Sequence, residues 1–241
     1  MGTPEFAVPC LAKLLEADYN IVGVITAPDR PAGRGKKIRM SAVKEFALSK
    51  DLNILQPTNL KNKDFQEELK ALNADIQVVV AFRMLPEAVW NMPPMGSINL
   101  HASLLPQYRG AAPINWAIIN GEKETGVSTF FLQHEIDTGE IIFQEKVQIA
   151  ENDYLDVVYE KLMNVGADLI VKTVNAVNKN DYPQIVQDHI TKIKHAPKIF
   201  KETCEIDWSE DVVDIYNKIR EDRCNSNEFS LTSFYVINFV L

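Results

Sequence analysis

The first half of the chain alternates short apolar runs with segments whose apolar residues recur at helical spacing. Three β-branched runs end in turn-forming or polar residues, as buried parallel strands do, and they cover residues 21–26, 75–81 and 96–101. The helices predicted around them cover residues 6–17, 41–50, 63–72 and 112–120. This alternation predicts an α/β fold with a doubly wound, mostly parallel sheet, whose functional site lies at the carboxyl ends of the strands.

The second half predicts longer elements. Residues 125–132 and 140–149 have the pattern of two long strands, joined by a turn that contains Asp137-Thr-Gly139. One amphipathic helix is predicted at residues 153–178, and a last helix at residues 209–220 with Ser209 as its N-cap. A Pro-containing stretch around residues 183–201 separates the core from this last helix.

The charge of the chain limits the classes of partner that it is expected to bind. The chain has 241 residues, 46% of them hydrophobic, and a net charge of -8, which argues against a surface coated in positive charge for unspecific nucleic-acid binding. One loop, from Arg30 to Arg39, holds five basic residues and no acidic one. Such runs are usually solvated faces, and without interleaved aromatic residues this one offers phosphate contact rather than base stacking.

Cysteine usage and hydropathy point to a cytoplasmic protein. Cys10, Cys204 and Cys224 are widely spaced and lack a partner at metal-site spacing, so we expect reduced thiols and no metal. No basic and apolar leader opens the sequence, and no apolar run reaches membrane-spanning length. We therefore expect a soluble protein, monomeric and without membrane contact.

Three polar side chains are candidates for chemistry. Asn99 and His101 stand two apart on a predicted strand, so they share a face where that strand ends. Asp137, from the later turn, could orient the imidazole. A carbonyl-oxygen donor, a proton shuttle and its orienter are what acyl transfer needs. Taken singly, each has an ordinary alternative: a strand cap, a satisfied core histidine and a turn-former.

Several segments together resemble one enzyme family. The run from Asn99 to Trp116, Gly126–Phe130 and Ile136–Ile142 closely resemble the methionyl-tRNA formyltransferases, as do Gly2–Pro9 and Arg34–Lys37. The resemblance extends from residue 1 to about residue 220. It implies a Rossmann-like fold and transfer of a formyl group from 10-formyltetrahydrofolate to the α-amino group of methionyl-initiator-tRNA, in the initiation of translation. No metal and no covalent enzyme intermediate are implied.

The resemblance also implies roles for particular residues. Asn99 would donate to the formyl oxygen, His101 would move the proton, and Asp137 would hold the imidazole. The residues implied to bind folate are Val80, Ala81, Phe82, Leu85, Ser103, Leu104, Leu105 and Pro106. Those implied to bind tRNA are Arg34, Lys36, Lys37 and Arg39. The segment around Phe82 and Arg83 departs from the family, which more usually has a Tyr-Gly pair there.

Expectations for domains follow from the same comparison. Residues 1–180 are expected to form the catalytic domain, residues 181–220 a linker and the start of a C-terminal domain, and residues 221–241 an atypical tail. In the family a first strand precedes the Gly-Thr-Pro segment and a small β-barrel follows the linker. We expect this chain to lack both.

Two other functions stay open on the sequence. Sister enzymes with similar Asn-His-Asp sites formylate a small amine or an amino sugar, and the run Ala111–Trp116 also resembles the amino-sugar branch. The second alternative is a non-catalytic folate- or RNA-binding remnant of a truncated gene. An acceptor assay separates the first alternative from the leading one, and measured turnover excludes the second.

Overall fold

A computed structural model describes residues 1–32, 37–187 and 192–222. The helices in these ranges are α1 (Val8–Glu16), α2 (Ala42–Ser49), α3 (Lys63–Ala71), α4 (Glu87–Trp90), α5 (Pro113–Ile119), α6 (Leu155–Asn178) and α7 (Val212–Asp222). The strands are β1 (Val24–Ile25), β2 (Arg30–Ala32), β3 (Lys37–Arg39), β4 (Ile54–Leu55), β5 (Gln77–Val80), β6 (Ser97–His101), β7 (Arg109–Gly110), β8 (Glu124–Phe131), β9 (Ile141–Gln148) and β10 (His195–Ala196).

The central sheet has the order β5-β6-β8-β9, with β5 and β6 parallel and β8 and β9 antiparallel to their neighbours. A parallel pair, β1 and β4, lies beside it. Met1 and Gly2 join the two sheets: the Gly2 amide donates to Ile25 O at 3.0 Å, and the Val80 amide donates to Met1 O at 2.9 Å. The amino group of Met1 also donates to Val78 O at 2.5 Å. The strands thus form one continuous surface.

Apolar side chains cover both faces of this surface. On one face, Phe6, Cys10, Leu100, Leu162 and Ile170 belong to the largest buried cluster, which lies under α1 and α6. On the other face, α3 and α4 contribute side chains to a second cluster, whose buried members are Ile25, Leu55, Leu60, Phe65, Leu69, Val79, Leu85 and Val89. Helices on both faces confirm the predicted doubly wound α/β fold.

Most predicted elements are confirmed with shifts of a few residues at their ends. The strand predicted at residues 21–26 is shorter, because only Val24 and Ile25 have ladder partners, on β4. The last helix begins at Val212, and the prediction of Ser209 as its N-cap is wrong. Asp211 accepts a hydrogen bond from the Val213 amide, while Ser209 bonds to Asp207. The Asp211 carboxylate reaches the first free amides of the helix, and Ser209 lies too early to do so.

The segment after α6 folds back onto the sheet. Ile185 exchanges two backbone hydrogen bonds with Ile141 at the edge of β9, and β10 pairs in parallel with β7. Helix α7 packs against α5. The segment predicted to be a linker therefore contacts the loops at the carboxyl end of β6.

In the described ranges, no helix combines the length and the apolar composition that a membrane span requires.

Candidate active site

Strand β6 brings two of the predicted residues to one place. Asn99 is opposite Val79 of β5, and His101 is opposite Ser128 of β8. Strand β6 therefore lies between two other strands, and its last residue stands at the carboxyl edge of the sheet. Asn99 is half-buried, and its amide has no hydrogen-bond partner in the described part of the chain. His101 is 7% exposed. Both side chains point to the same face of the strand, as their spacing predicts.

His101 has a hydrogen-bond acceptor on each side of its ring. Nε2 lies 2.8 Å from the carbonyl oxygen of Tyr108. Since a carbonyl oxygen accepts only, Nε2 carries the proton in this contact. Nδ1 lies 3.8 Å from Oδ2 of Asp137, which is within ion-pair range but longer than a hydrogen bond. In the neutral ring the Nδ1 lone pair therefore faces the gap towards Asp137.

Asp137 is held in a left-handed backbone conformation, with φ of 55°. The Gly110 amide donates to its Oδ2 at 3.0 Å. The side chains of His101 and Asp137 are 8% and 11% exposed, so the pair is largely shielded from water. Two residues on, Gly139 lies so close to the backbone that an added Cβ would be 1.8 Å from Phe131 O. The turn that carries Asp137 is therefore fitted tightly against β8.

Tyr108 supplies the carbonyl that contacts His101 because its own backbone is left-handed, with φ of 60°. Its hydroxyl donates to Glu122 at 2.5 Å, and its ring is buried. Burial, followed by the hydrogen bond to Glu122, raises the pKa of Tyr108 above its usual range. Lys194 forms an ion pair with the same carboxylate, and its backbone carbonyl accepts from the Tyr108 amide. The ring and the backbone are both fixed.

Gly110 lets the returning segment approach the site. Its φ is 129°, and an added Cβ would lie 2.4 Å from the carbonyl oxygen of Ala196. Strands β7 and β10 pair at this point, with Gly110 opposite Ala196. Only glycine combines this φ with so close a contact. The loop that donates to Asp137 is thus attached to β10.

The loop predicted to bind folate, from Ser103 to Pro106, is anchored to β8 and β9. The Ser128 hydroxyl donates to Ser103 O at 2.6 Å and accepts from the Leu105 amide at 3.1 Å. The Gln144 amide donates to Leu105 O at 3.0 Å, and the Leu105 side chain is buried beside Phe130 and Ile141. Leu105 is therefore engaged within the protein, while Leu104 and Pro106 remain half-buried.

The second loop predicted to bind folate follows β5. Val80 is 3% exposed, Ala81 has φ of 45°, and Leu85 belongs to the second apolar cluster beside Phe82. Arg83, where the sequence departs from the family, donates to the carbonyl oxygens of Thr58 and Pro57. Burial, followed by the charge of Arg30, lowers the pKa of the Arg83 guanidinium. The unusual arginine therefore ties this loop to the one after β4.

A cavity lies between these two loops. Its volume is about 500 Å³, and it is lined by residues 58–61 and 83–87. Within the described ranges, Arg83 Nε is enclosed and has no hydrogen-bond partner. No group of three or more His, Cys, Asp or Glu side chains is placed to hold a metal ion in the part of the chain described.

The basic segment forms an antiparallel hairpin of β2 and β3, in which Arg30 is opposite Arg39. Arg39 is exposed, and Ile38 beside it is 74% exposed. Lys37 is the first residue of β3, whereas the predicted Arg34 and Lys36 lie outside the described residues. At the base of the hairpin Asp29 pairs with Lys44 at 2.5 Å, and the hydrogen bonds from Lys44 and Gln56 lower the pKa of Asp29. These contacts anchor the hairpin to α2.

The structure brings His101 and Asp137 within 3.8 Å of each other, places Asn99 two residues earlier on the same strand, and adds contacts that sequence reasoning missed. The Tyr108 carbonyl and the Gly110 amide both touch the pair, and Gln187 contacts the Asp137 turn. Tyr108 and Gly110 lie within a motif that the sequence singled out, but nothing in the motif indicates which backbone atoms face the histidine. Gln187 has no pattern around it that would have marked it.

Several solved structures of formyltransferases have a similar fold. An N-formyltransferase from Helicobacter canadensis, in complex with folinic acid and dTDP-3-aminofucose, aligns with a TM-score of 0.70 and 23% identity over 91% of this chain and 78% of its own. The sugar 3N-formyl transferase WlaRD, with dTDP and 5-N-formyl-THF, aligns with a TM-score of 0.68 and 24% identity, covering 91% and 76%. At these identities the likeness supports the fold alone.

Sequence relatives are much more similar. Methionyl-tRNA formyltransferases from Bacteroides thetaiotaomicron and Phocaeicola vulgatus are 57% and 58% identical, and each alignment covers 91% of this chain and 69% of the relative. The enzyme of that name from Flavobacterium johnsoniae is 53% identical, with 91% and 70% covered. Residues 1–174, which include Asn99, His101 and Asp137, match the family described as formyl transferase. The chain belongs to the formyl transferase family.

Proposed function

We propose that this protein transfers a formyl group from 10-formyltetrahydrofolate to the α-amino group of methionyl-initiator-tRNA. The observation that carries the proposal is the pairing of His101 with Asp137 at the carboxyl edge of β6, with Asn99 on the same strand, in a chain 52–58% identical to enzymes named for this reaction. Because the proposed acceptor, an initiator tRNA, is cytoplasmic, we propose that the protein is cytoplasmic as well.

The three side chains divide the chemistry. Bound 10-formyltetrahydrofolate supplies the formyl carbon that the amine attacks. The Asn99 amide, which is free of other partners in the described ranges, donates to the oxygen on which negative charge builds. Nδ1 of His101 accepts the proton that the amine loses, while Nε2 keeps its proton on the Tyr108 carbonyl. The bond between the formyl carbon and N10 of the folate then breaks, and N10 takes the proton from Nδ1, so that tetrahydrofolate leaves and the imidazole is neutral again.

Asp137 then accepts a hydrogen bond from the newly protonated Nδ1. In the structure Nδ1 and Asp137 Oδ2 are 3.8 Å apart, so the two groups must approach for this hydrogen bond to form. After proton transfer the two groups have opposite charges in a site nearly closed to water, where their attraction is strong. The Gly110 amide keeps the carboxylate in place during this step.

The residues present fit a folate. Beside the loop from Arg83 to Pro86 lies the cavity of about 500 Å³, a size typical of small-molecule sites. Arg83 is one of the residues that line this cavity. The loop from Ser103 to Pro106 follows His101 directly, and we propose that it contacts the same folate molecule.

The basic hairpin supports a nucleic-acid acceptor. Its exposed Arg39 and the paired Arg30 stand on two strands that are anchored to α2 through Asp29 and Lys44. A fixed positive hairpin in an acidic protein provides local phosphate contact. We propose that Arg34, Lys36, Lys37 and Arg39 contact the tRNA backbone.

A comparison of acceptors tests the proposal. The full chain is supplied with 10-formyltetrahydrofolate and, in parallel, with methionyl-initiator-tRNA, free methionine methyl ester, glycinamide ribonucleotide and a dTDP-amino sugar. We expect formylation of the tRNA with a kcat/KM at least a hundredfold above that for the other acceptors. Preference for the amino sugar would overturn the acceptor assignment, and the absence of turnover on every acceptor would overturn the enzymatic one.

A further inference from the structure

Gln187 lies on the segment that returns to the sheet after α6. Its side chain is 5% exposed, which is unusual for a glutamine. The preceding pairing of Ile185 with Ile141, through hydrogen bonds of 2.8 and 3.0 Å, fixes where the segment runs. Gln187 lies beyond residues 1–174, which match the formyl transferase family. Its position is thus set by β9, and its side chain enters the catalytic region from outside the matched part.

The amide of Gln187 bonds to two separate loops. Its Nε2 donates to Asp137 O at 2.9 Å and to Gly139 O at 2.8 Å. Its Oε1 accepts from Arg109 Nε at 3.1 Å and from Arg109 Nη2 at 2.6 Å. Both amide hydrogens and the oxygen are therefore used, and the orientation of the side chain is determined by its partners.

These two loops flank His101. The turn with Asp137 faces Nδ1 of the ring, and the loop with Arg109 includes Tyr108 and Gly110, which contact Nε2 and the Asp137 carboxylate respectively. Asp137 has a left-handed backbone, a conformation that a non-glycine residue keeps only when its surroundings hold it. The hydrogen bond of Gln187 to the carbonyl oxygen of Asp137 helps to keep Asp137 in this backbone conformation.

We propose that Gln187 is a positioning residue for the transfer reaction: it fixes the distance between Asp137 and His101 by linking their two loops. This inference rests on the proposed function, in which Asp137 receives the hydrogen bond from the protonated imidazole. The hydrogen bonds of the Gln187 side chain go to Arg109, Asp137 and Gly139, and none goes to His101. The effect of Gln187 is on the geometry that is used in the transition state, so it acts on kcat and not on substrate affinity.

Two substitutions separate positioning from mere packing. Gln187→Met keeps the volume and removes all the hydrogen bonds. Gln187→Glu still accepts from Arg109, but it cannot donate to the carbonyls of Asp137 and Gly139. The matched control is Gln184→Ala, because Gln184 is exposed and lies three residues earlier on the same segment.

We expect both Gln187 variants to lower kcat by roughly 10- to 100-fold, with the KM for folate and for the acceptor changed less than about threefold. Kinetics are measured well below the melting temperature of each variant, so that a lower kcat in the Glu variant does not come from unfolding. Amide hydrogen exchange in residues 132–139 should become faster in both variants and stay unchanged in Gln184→Ala. Wild-type kcat in the Glu variant would overturn the proposal, because retention of the Arg109 contact alone would then suffice.

The exchange measurement keeps this test separate from that of the acceptor. If the wild-type protein does not formylate methionyl-tRNA, the proposed function fails, yet the exchange rates still report whether Gln187 holds the Asp137 turn. Unchanged exchange in both variants would overturn the positioning role for any acceptor. A raised KM with unchanged kcat would also overturn it, since Gln187 would then serve binding.

Discussion

The carbonyl oxygen of Tyr108 lies 2.8 Å from Nε2 of His101 because Tyr108 has φ of 60°. A bulky residue in this region is strained, and the strain is maintained by the buried ring, its hydroxyl on Glu122 and the Tyr108 amide on Lys194 O. The geometry of the histidine therefore depends on contacts that are remote from the reacting atoms.

The role of His101 can be tested directly. We expect His101→Ala to lower kcat by about 10²- to 10⁴-fold, because the general base for the amine proton is lost, while the KM for folate changes little. Steady-state kinetics with each substrate varied in turn measures both constants. The control is His195→Ala, since the exposed His195 contributes to β10 through its backbone. Near-wild-type turnover in the His101 variant would refute the mechanism.

The contacts that fix Tyr108 should affect both the free energy of unfolding and kcat. We expect Tyr108→Phe to lower the free energy of unfolding by about 1–3 kcal/mol, because the hydrogen bond to the Glu122 carboxylate is lost. Tyr108→Ala should lower stability and kcat further, since the ring that keeps the carbonyl on His101 is removed. Urea unfolding and kcat should rank wild type, Phe and Ala in that order. An Ala variant as fast as wild type would show that the carbonyl contact is dispensable.

The basic hairpin should act through phosphate contact. We expect Arg39→Ala to raise the KM for tRNA and to reduce the slope of log K against log salt by about 0.7–0.9, the value for one lost contact. The KM for folate should not change. Kinetics at several salt concentrations measure the slope, and Lys179→Ala, an exposed lysine after α6, serves as the control. An unaltered slope would remove Arg39 from the tRNA interface.

In a chain prepared so that it begins at Met1, stability should depend on pH through the buried amino group of this residue. Burial lowers the pKa of this ammonium from 8.0 to about 5. Between these pH values the unfolded chain holds a proton that the folded chain lacks. The free energy of unfolding therefore increases as the pH is raised from 5 to 8. At about 1.4 kcal/mol per pH unit, the whole window amounts to roughly 4 kcal/mol. Urea unfolding at intervals across this window measures the effect.

The control for this dependence is the same chain with two valines placed before Met1. The ammonium then becomes an amide N–H, which can donate to Val78 O without carrying a charge. We expect the extended chain to be more stable at pH 6 and to lose most of the slope. Equal slopes in the two chains would assign the pH dependence to other groups.

Much of the fold could be predicted because its signals are local. Strand β5 contains three successive valines, β6 ends in a histidine, and α6 shows an apolar stripe over six turns of helical spacing. The shared face of Asn99 and His101 follows from their separation by two residues on β6. Asp137 could be identified as a candidate site residue from its place in the turn between two predicted strands and from the family resemblance.

The rest of the site could not be predicted because it depends on tertiary contacts. A tyrosine in a left-handed conformation leaves no pattern in the sequence, and the Tyr108 carbonyl is a backbone atom that any residue would possess. Gln187 reaches Asp137 only because Ile185 pairs with the edge of β9. The misplaced N-cap at Ser209 has a smaller cause, the competing carboxylate of Asp211 two residues later.

The contact of Gln187 with Asp137, 50 residues earlier in the chain, has a consequence for synthesis. A ribosome makes the chain from its amino terminus, so β6 and the Asp137 turn emerge first. At about 5–20 residues per second, the partner that holds the turn follows roughly 3–10 s later. During that interval the nascent chain carries every side chain of the proposed chemistry without its final geometry. Full formyl transfer activity should therefore be reached only after the returning segment has left the ribosomal tunnel.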